Sequence, residues 1–118
     1  MTEHAEQVAL FNWAKLMESR HPQLALMFAI PNGGHRHIAV AYKLKAEGVR
    51  AGVPDIFLPV PHGTQHGLWI ELKVGKNKTS KIQKEWLNKL SDEGYETKVC
   101  YGFDEARQAI IDYLELEV

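Results

Sequence analysis

The sequence predicts an α/β fold in which helices flank both faces of a mixed β-sheet. Two observations lead to this fold class. Helical and strand-like patterns alternate along the chain in the order helix, strand, helix, β-hairpin, helix, strand, helix. The 118 residues are also enough to bury a core without disulfides or a structural metal. We therefore expect one domain spanning residues 1–118.

Composition and charge narrow the classes of function. The single cysteine, Cys100, excludes an internal disulfide and favours a reducing, intracellular compartment. The N-terminus is polar and charged, so we expect no signal peptide, and no apolar run approaches the length of a membrane span. The net charge of −1 gives no global indication of nucleic-acid binding. Any contact with DNA must therefore come from local basic patches.

The first helix is predicted to begin after Thr2, which can cap it, and to run to about Arg20. Its apolar stripe is formed by Leu10, Ala14 and Met17.

The next two elements are a strand and a helix. The apolar run Leu26–Ile30, ended by Pro31, predicts a strand fully buried in the sheet. The helix that follows is expected to end at Gly48, as its C′ residue. Its inward-facing side chains are predicted to be Ile38, Ala41 and Tyr42.

An antiparallel hairpin forms the centre of the predicted sheet. Two short apolar segments, the second spanning residues 68–74, flank a turn rich in proline and glycine. With the turn centred near Gln65, Asp55 lies opposite the end of the hairpin that carries Glu71 and Lys73. Side chains alternate along a strand, so Glu71 and Lys73 point to the same face. A carboxylate inside a sheet needs an ion pair, a hydrogen bond or a metal.

These residues suit metal-assisted hydrolysis of a phosphodiester. The carboxylates of Asp55 and Glu71 and the carbonyl of Leu72 form a hard oxygen site of the kind that Mg²⁺ or Mn²⁺ prefers. Lys73 can steer a water or stabilise charge on the reacting phosphate. The alternative is an ordinary surface hairpin with a Glu-x-Lys pair, and the hairpin-compatible spacing favours the metal site.

Basic residues accumulate directly after the hairpin. This lysine-rich stretch emerges from the proposed site, and Lys76 is its candidate for contact with DNA. Thr79 or Ser80 can cap the next helix. Gln83 falls on the core-facing side of that helix, where its amide needs a partner such as a water, a phosphate or Lys73.

The chain ends with a strand and a helix. Gly94 is expected to end the preceding helix, Thr97–Tyr101 to form the strand, and Asp104 to cap the last helix. The side chains of that helix expected to pack inward are Ala106, Ala109, Ile110, Tyr113 and Leu114.

The motif Pro54-Asp55, followed after a hairpin by Glu71-Leu72-Lys73, resembles the signature of the PD-(D/E)xK nuclease superfamily. Nearly the whole chain is similar to one branch of it, the VRR-NUC domain in its small stand-alone form. The further matching features are Glu3-x-x-x-Gln7, Pro31-Asn32-Gly33-Gly34, Gly48 through Asp55, and Gln83. The resemblance implies a restriction-endonuclease-like mixed sheet and a metal-dependent DNA endonuclease.

The resemblance also implies roles for residues outside the hairpin. Glu3 is the glutamate expected to approach the metal cluster, and Glu6 is the rival candidate. The alternative is that Glu3 is a first-turn acid that only complements the helix dipole. Gln83 is expected to orient the nucleophile or the substrate. The candidates for contact with the DNA backbone are Asn32, Gly33, Gly34 and Arg36, for which a plain loop is the alternative.

The predicted substrate is branched DNA. The chain is small and has no obvious recognition helix for reading bases. Stand-alone VRR-NUC domains resemble homodimeric resolvases of four-way junctions, for which a two-fold axis supplies two sites. Relatives fused to other domains cut flaps.

Three further functions compete with cleavage of branched DNA. The first is a flap-directed or non-specific nuclease, and the second is a DNA-binding module that keeps the fold but cuts nothing. Intact Asp55, Glu71 and Lys73 argue against the second. The third is an enzyme that binds a phosphorylated ligand at Gly33–Gly34, and it is disfavoured because the chain lacks a dinucleotide-type glycine fingerprint.

Overall fold

The computed structural model describes residues 1–31 and 38–117. They form a mixed sheet of order β1-β2-β3-β4, in which β3 and β4 are parallel and the other two pairs are antiparallel. Helices flank this sheet, so the predicted α/β class is confirmed. No helix in the described ranges is long and apolar enough to cross a membrane. The helices are α1 (Glu3–Met17), α2 (Ile38–Ala46), α3 (Lys81–Asp92) and α4 (Gly102–Leu114), and the strands are β1 (Phe28–Ala29), β2 (Ile56–Leu58), β3 (Leu68–Lys73) and β4 (Glu96–Tyr101).

The main core lies between one face of the sheet and the pair of helices α1 and α4. Alternate residues of β3 point into it, which is the two-residue period expected of a strand. The last helix contributes the apolar face that its sequence predicted. The fully buried side chains of this core include Leu10, Ile56, Leu58, Leu68, Ile70, Leu72 and Ile110.

Helix α1 begins as predicted but ends earlier than Arg20. The hydroxyl of Thr2 accepts a hydrogen bond from the Ala5 amide (3.1 Å) and caps the helix. The helix ends at Met17, and turns carry the chain to His21. His21 adopts a non-helical conformation because it precedes a proline.

The prediction of a buried strand over Leu26–Ile30 is wrong in both extent and burial. Pro22 begins a 3-10 helix that runs to Leu26, so the strand is reduced to Phe28–Ala29. This strand is at the edge of the sheet and both of its residues are exposed. An apolar run alone does not distinguish an edge strand from a central one.

The inward face predicted for α2 is also wrong. Ile38, Ala41 and Tyr42 are all exposed, and no residue of this helix is buried. Its C-terminus does match the prediction. Gly48 has a φ of 101°, and the amides of Gly48 and Val49 close the helix on carbonyls of its last turn. The sequence therefore predicted the C-terminal cap of α2 correctly. It did not predict the packing of the helix, which does not lie on the core.

The hairpin of β2 and β3 has the register that the site requires. Ile56 pairs with Ile70, so Asp55 extends the pairing to the position opposite Glu71. The turn lies just before the predicted centre at Gln65, because Gln65 itself pairs with residue 62. On the same face as Glu71, the next cross-strand pair is a stack of Phe57 on Trp69, with ring centroids 4.1 Å apart.

Helices α3 and α4 begin differently from each other. Ser80, the second of the two predicted caps, forms a capping box with Gln83, and Gly94 ends α3 as predicted. Asp104 does not cap α4, which starts two residues earlier, directly after Tyr101. The Tyr101 amide donates instead to the carboxylate of Glu105 (2.9 Å).

The segment that leads into β2 is packed tightly on α3. Gly52 has a φ of 88°, and a Cβ atom on it would lie 2.9 Å from Ile82 Cγ2 and 3.1 Å from Trp86 Cδ1. The Trp86 indole N–H donates to the Ala51 carbonyl at 3.0 Å. These contacts hold the chain shortly before Asp55.

We predict that Gly52→Ala destabilises the protein more than Gly48→Ala. Both positions have positive φ, which costs a non-glycine residue roughly 1–2 kcal/mol. Nothing lies within 4 Å of a Cβ at Gly48, whereas at Gly52 the overpacking adds roughly 1–3 kcal/mol. Denaturant unfolding of the two variants measures the difference, and equal destabilisation would contradict the packing described for Gly52.

Candidate active site

Asp55 is held by two backbone hydrogen bonds at the open end of the hairpin. Its carboxylate oxygen Oδ2 accepts from the Leu72 amide at 2.8 Å, and its carbonyl accepts from the Ile30 amide at 2.7 Å. The first bond replaces the strand-to-strand bond that would follow the last pair of the β2–β3 ladder. The carboxylate is thereby placed beside β3.

Glu71 is the one charged side chain that is buried among the described residues, with 1% of the residue surface exposed. Its Oε2 atom accepts from Gln83 Nε2 at 3.3 Å and lies 3.7 Å from Lys73 Nζ. Its Oε1 atom is buried and has no hydrogen-bond partner in the described part of the chain. A buried acceptor of this kind is costly unless something else binds it.

The surroundings of Glu71 oppose its ionisation. Burial raises its pKa, the negative charge of Asp55 and a hydrogen bond of the protonated Glu71 carboxyl to Asp55 raise it further, and the charge of Lys73 lowers it. The balance brings the pKa of Glu71 to about 8, compared with an ordinary value of 4.5. The two carboxylates are therefore close enough that a bound cation would relieve their repulsion.

Of the two glutamates in the first turn of α1, Glu3 is the one in electrostatic contact with the site. Burial raises the pKa of Glu3, Asp55 raises it further, and Lys73 opposes the shift. The carboxylate of Glu6 is directed elsewhere, 2.9 Å from the position of a Cβ on Gly102 at the start of α4. The geometry therefore favours Glu3 over its rival.

Gln83 has a partner that was not among those predicted for it. Its Oε1 accepts from the Ser80 amide at 2.9 Å, while its Nε2 donates to Glu71. The sequence carried part of this information, because Ser-x-x-Gln is the pattern of a capping box. The contact with Glu71 depends on how α3 lies over the sheet and has no signal in the sequence.

The lysines between residues 73 and 84 form two groups. The side chain of Lys73 is only 12% exposed and lies inside the site. The exposed lysines that follow are Lys76, Lys78, Lys81 and Lys84. The loop that carries the first of them is held by a hydrogen bond from the Tyr101 hydroxyl to the Asn77 carbonyl (2.8 Å). The remaining predicted contacts, Asn32, Gly33, Gly34 and Arg36, lie outside the described residues.

The donor set at the end of the hairpin fits a hard divalent cation. Asp55 and Glu71 supply carboxylate oxygens, and Oε1 of Glu71 needs a partner. The Leu72 carbonyl is a further candidate oxygen donor on β3, in the residue whose amide binds the carboxylate of Asp55. In residues 1–31 and 38–117, no three His, Cys, Asp or Glu side chains form a complete ligand set. Waters and substrate oxygens would complete the coordination, as is usual for Mg²⁺.

Comparisons with known proteins identify the family and the fold of this chain. A family model described as the VRR-NUC domain matches residues 2–104. A solved structure described as a VRR_NUC domain protein is 32% identical and superposes with a TM-score of 0.84. The alignment covers 98% of this chain and 90% of that chain. No curated protein matches the chain.

We predict that Glu71→Gln stabilises the metal-free protein at high pH. The raised pKa means that the folded protein holds a proton on Glu71 that the unfolded chain releases above about pH 4.5. The stability contributed by that proton is present below pH 4.5 and is lost as the pH rises to about 8. Glutamine avoids this loss, so its advantage should grow as the pH rises from about 4.5 to about 8 and then level off at roughly 3–5 kcal/mol.

Thermal unfolding in EDTA across this pH range measures the effect. Glu85→Gln, at an exposed position of α3, is the matched control and should show no such trend. A constant difference between wild type and Glu71→Gln would contradict the electrostatics described for the site.

Proposed function

The chain belongs to the VRR-NUC family and has its nuclease-type fold, and from this premise we propose that it is a divalent-metal-dependent DNA endonuclease that hydrolyses phosphodiester bonds. The observation that carries the proposal is the convergence of Asp55, Glu71 and Lys73 at one end of the β2–β3 hairpin. The unpartnered oxygen of Glu71 supports a cation as the missing component.

The side chains have distinct roles in the proposed reaction. Asp55, Glu71 and the Leu72 carbonyl would hold Mg²⁺ or Mn²⁺, which when bound would polarise the phosphate and lower the pKa of a water. Lys73 directs its ammonium group to the reacting phosphate, where negative charge develops. Gln83 holds Glu71 in place through its amide and can also orient the nucleophile or the substrate. Glu3 supports the cluster from α1.

The surface beside the site supplies contacts with DNA. The exposed lysines that follow β3, Lys76 among them, can neutralise backbone phosphates without regard to sequence. From the family resemblance we propose Asn32, Gly33, Gly34 and Arg36 as further contacts with the backbone. A non-catalytic DNA-binding module has less support, because it would have no use for the buried and mutually repelling carboxylates of Asp55 and Glu71.

We further propose that the protein is a homodimer that acts on branched DNA such as four-way junctions. Helix α2 supports the dimer because Ile38 and Tyr42, four residues apart on the same face of the helix, are 84% and 77% exposed. Apolar side chains exposed along one helix are typical of an association surface. Two other aromatic side chains that could form a dimer surface, Trp13 and Tyr113, pack against the core instead. Two copies related by a two-fold axis would match the symmetry of a junction.

We predict that three single variants separate metal binding, catalysis and DNA binding. Asp55→Asn should lose Mn²⁺ binding and cleavage together, since it removes a ligand. Lys73→Ala should still bind Mn²⁺ but cleave orders of magnitude more slowly, because its contribution belongs to the transition state. Lys76→Ala is the matched lysine control and should lose only a few-fold in DNA affinity at low salt.

Calorimetry with Mn²⁺ and cleavage assays with Mg²⁺, Mn²⁺ or EDTA provide the readouts. Undiminished Mn²⁺ binding by Asp55→Asn would rule out the ligand assignment. Equal behaviour of the two lysine variants would show that Lys73 is an ordinary electrostatic contact.

We predict that the wild-type protein is a dimer at micromolar concentration and that Ile38→Asp converts it to a monomer. A charge at the centre of an apolar interface is costly because it loses its hydration. Leu16→Asp is the control, since Leu16 is 79% exposed on α1, close to the 84% of Ile38. Light scattering measures the molar mass.

Cleavage of a four-way junction in competition with a duplex of equal length tests the substrate. The wild type should prefer the junction, and Ile38→Asp should lose that preference. A monomeric wild type that cuts both substrates equally would replace the resolvase proposal with a flap-directed or non-specific nuclease.

A further inference from the structure

A cavity of about 340 Å³ lies on the α3 side of the protein and is separate from the carboxylate cluster. Its volume is within the range of about 300–1,000 Å³ that is typical of small-ligand sites. The walls come from the chain after β1, the turn after α2, the segment before β2, and α3. The lining residues are Ile30, Pro31, Gly48, Val49, Arg50, Val53 and Trp86.

The wall formed by Trp86 is fixed before any ligand binds. The indole N–H is bonded to the Ala51 carbonyl, and the ring packs against Gly52. Because these contacts hold the ring in place, little ordering is required when a flat ligand enters the cavity.

The cavity is directly linked to the proposed active site. Ile30, which lines it, donates its amide to the carbonyl of Asp55. Trp86 follows Gln83 by one turn of α3, which is an axial rise of about 4.5 Å. Gln83 in turn contacts Glu71. The cavity is therefore adjacent to the carboxylates that would hold the cation.

One side chain gives the cavity a charge. Arg50 is exposed, lines the cavity, and takes part in none of the ion pairs found among the described residues. The other lining residues in the described part of the chain are apolar or aromatic. A guanidinium beside an apolar, aromatic-walled cavity suits a ligand that is flat and joined to an anion. A nucleobase joined to its phosphate has this chemistry.

We propose that this cavity receives an unpaired nucleobase from the nucleotide next to the scissile phosphate. The base enters between Trp86 and the apolar walls, and Arg50 contacts the adjoining phosphate. This inference rests on the proposed nuclease function and adds a recognition site to it. A paired base would first have to be unstacked and unpaired, so the cavity favours DNA whose pairing is already interrupted at the cleavage point.

The cavity thereby accounts for structure-selective binding without reading a sequence. Stacking on an aromatic side chain tolerates every base, because each base has a π-face. An unpaired nucleotide is present at flaps and bulges, whereas a continuous duplex has none. The selectivity for an unpaired nucleotide therefore resides in each copy of the chain, whereas the proposed preference for a four-way junction depends on the dimer.

The test compares two DNAs of equal length, one fully paired and one with a single unpaired 2-aminopurine. Binding is measured in EDTA at low salt, so that no cleavage is expected. We expect the wild type to bind the second DNA about tenfold more tightly and to quench the 2-aminopurine emission. Val49→Trp fills the cavity from a residue that is 37% exposed and should abolish both effects. Val8→Trp, at a valine that is 45% exposed on α1, is the control and should retain them.

Two results would overturn the cavity proposal. One is the absence of quenching and preference in the wild type, a result that does not depend on whether any variant folds. The other is an unchanged preference in Val49→Trp. If that variant also shifts from dimer to monomer, the cavity is a contact surface for a second copy of the chain.

Cleavage assays with Mn²⁺ separate this proposal from the nuclease function. If the wild type cuts DNA, Asp55→Asn does not, and Val49→Trp keeps its preference for the unpaired base, the cavity proposal fails and the nuclease stands. If nothing is cut but the preference depends on Val49, the cavity binds an unpaired base, whereas the nuclease function and the place of that base next to a scissile phosphate fail.

Discussion

The hydrogen bond from the Leu72 amide to the carboxylate of Asp55 is the contact on which the candidate site depends. It continues the β2–β3 ladder with a side chain in place of a backbone acceptor, so the register of the hairpin sets the position of the carboxylate. The same register brings Asp55 next to Glu71, although their charges repel each other. The raised pKa of Glu71 expresses that repulsion together with burial. A folded arrangement that is electrostatically unfavourable by itself is typical of a functional site.

Helix α3 links the chemistry of the site to the adjacent surface. Its N-terminal capping box uses one end of the Gln83 amide, and the other end reaches Glu71. One turn later, Trp86 packs on the segment that leads into β2 and forms a wall of the cavity. A shift of α3 would therefore alter the hydrogen bonding of Glu71 and the shape of the cavity together. This coupling gives the helix a role beyond covering the sheet.

The accuracy of the sequence-based predictions depended on the range of the interactions involved. Thr2 and Gly48 were placed correctly, and Ser80 was one of the two caps predicted for α3, because capping and positive φ are local properties of the backbone. The cap predicted at Asp104 was wrong, because α4 begins at Gly102 and the Tyr101 amide donates to Glu105. The buried strand at Leu26–Ile30 was wrong because burial depends on the position of a strand within the sheet, and β1 lies at the edge. The prediction of an inward face for α2 was wrong for a similar reason, because an apolar pattern does not determine which other element packs against it.

The sequence by itself determined the fold class, the hairpin, and the residue types at its open end, because strand alternation and turn composition are encoded in short stretches. Tertiary structure decided that Glu3 rather than Glu6 faces the cluster, that Gln83 binds Glu71, and that a cavity lies beside the carboxylates. These features join elements that are far apart in the chain. Their geometry follows from how α1 and α3 pack on the sheet, and packing depends on shape complementarity over the whole core.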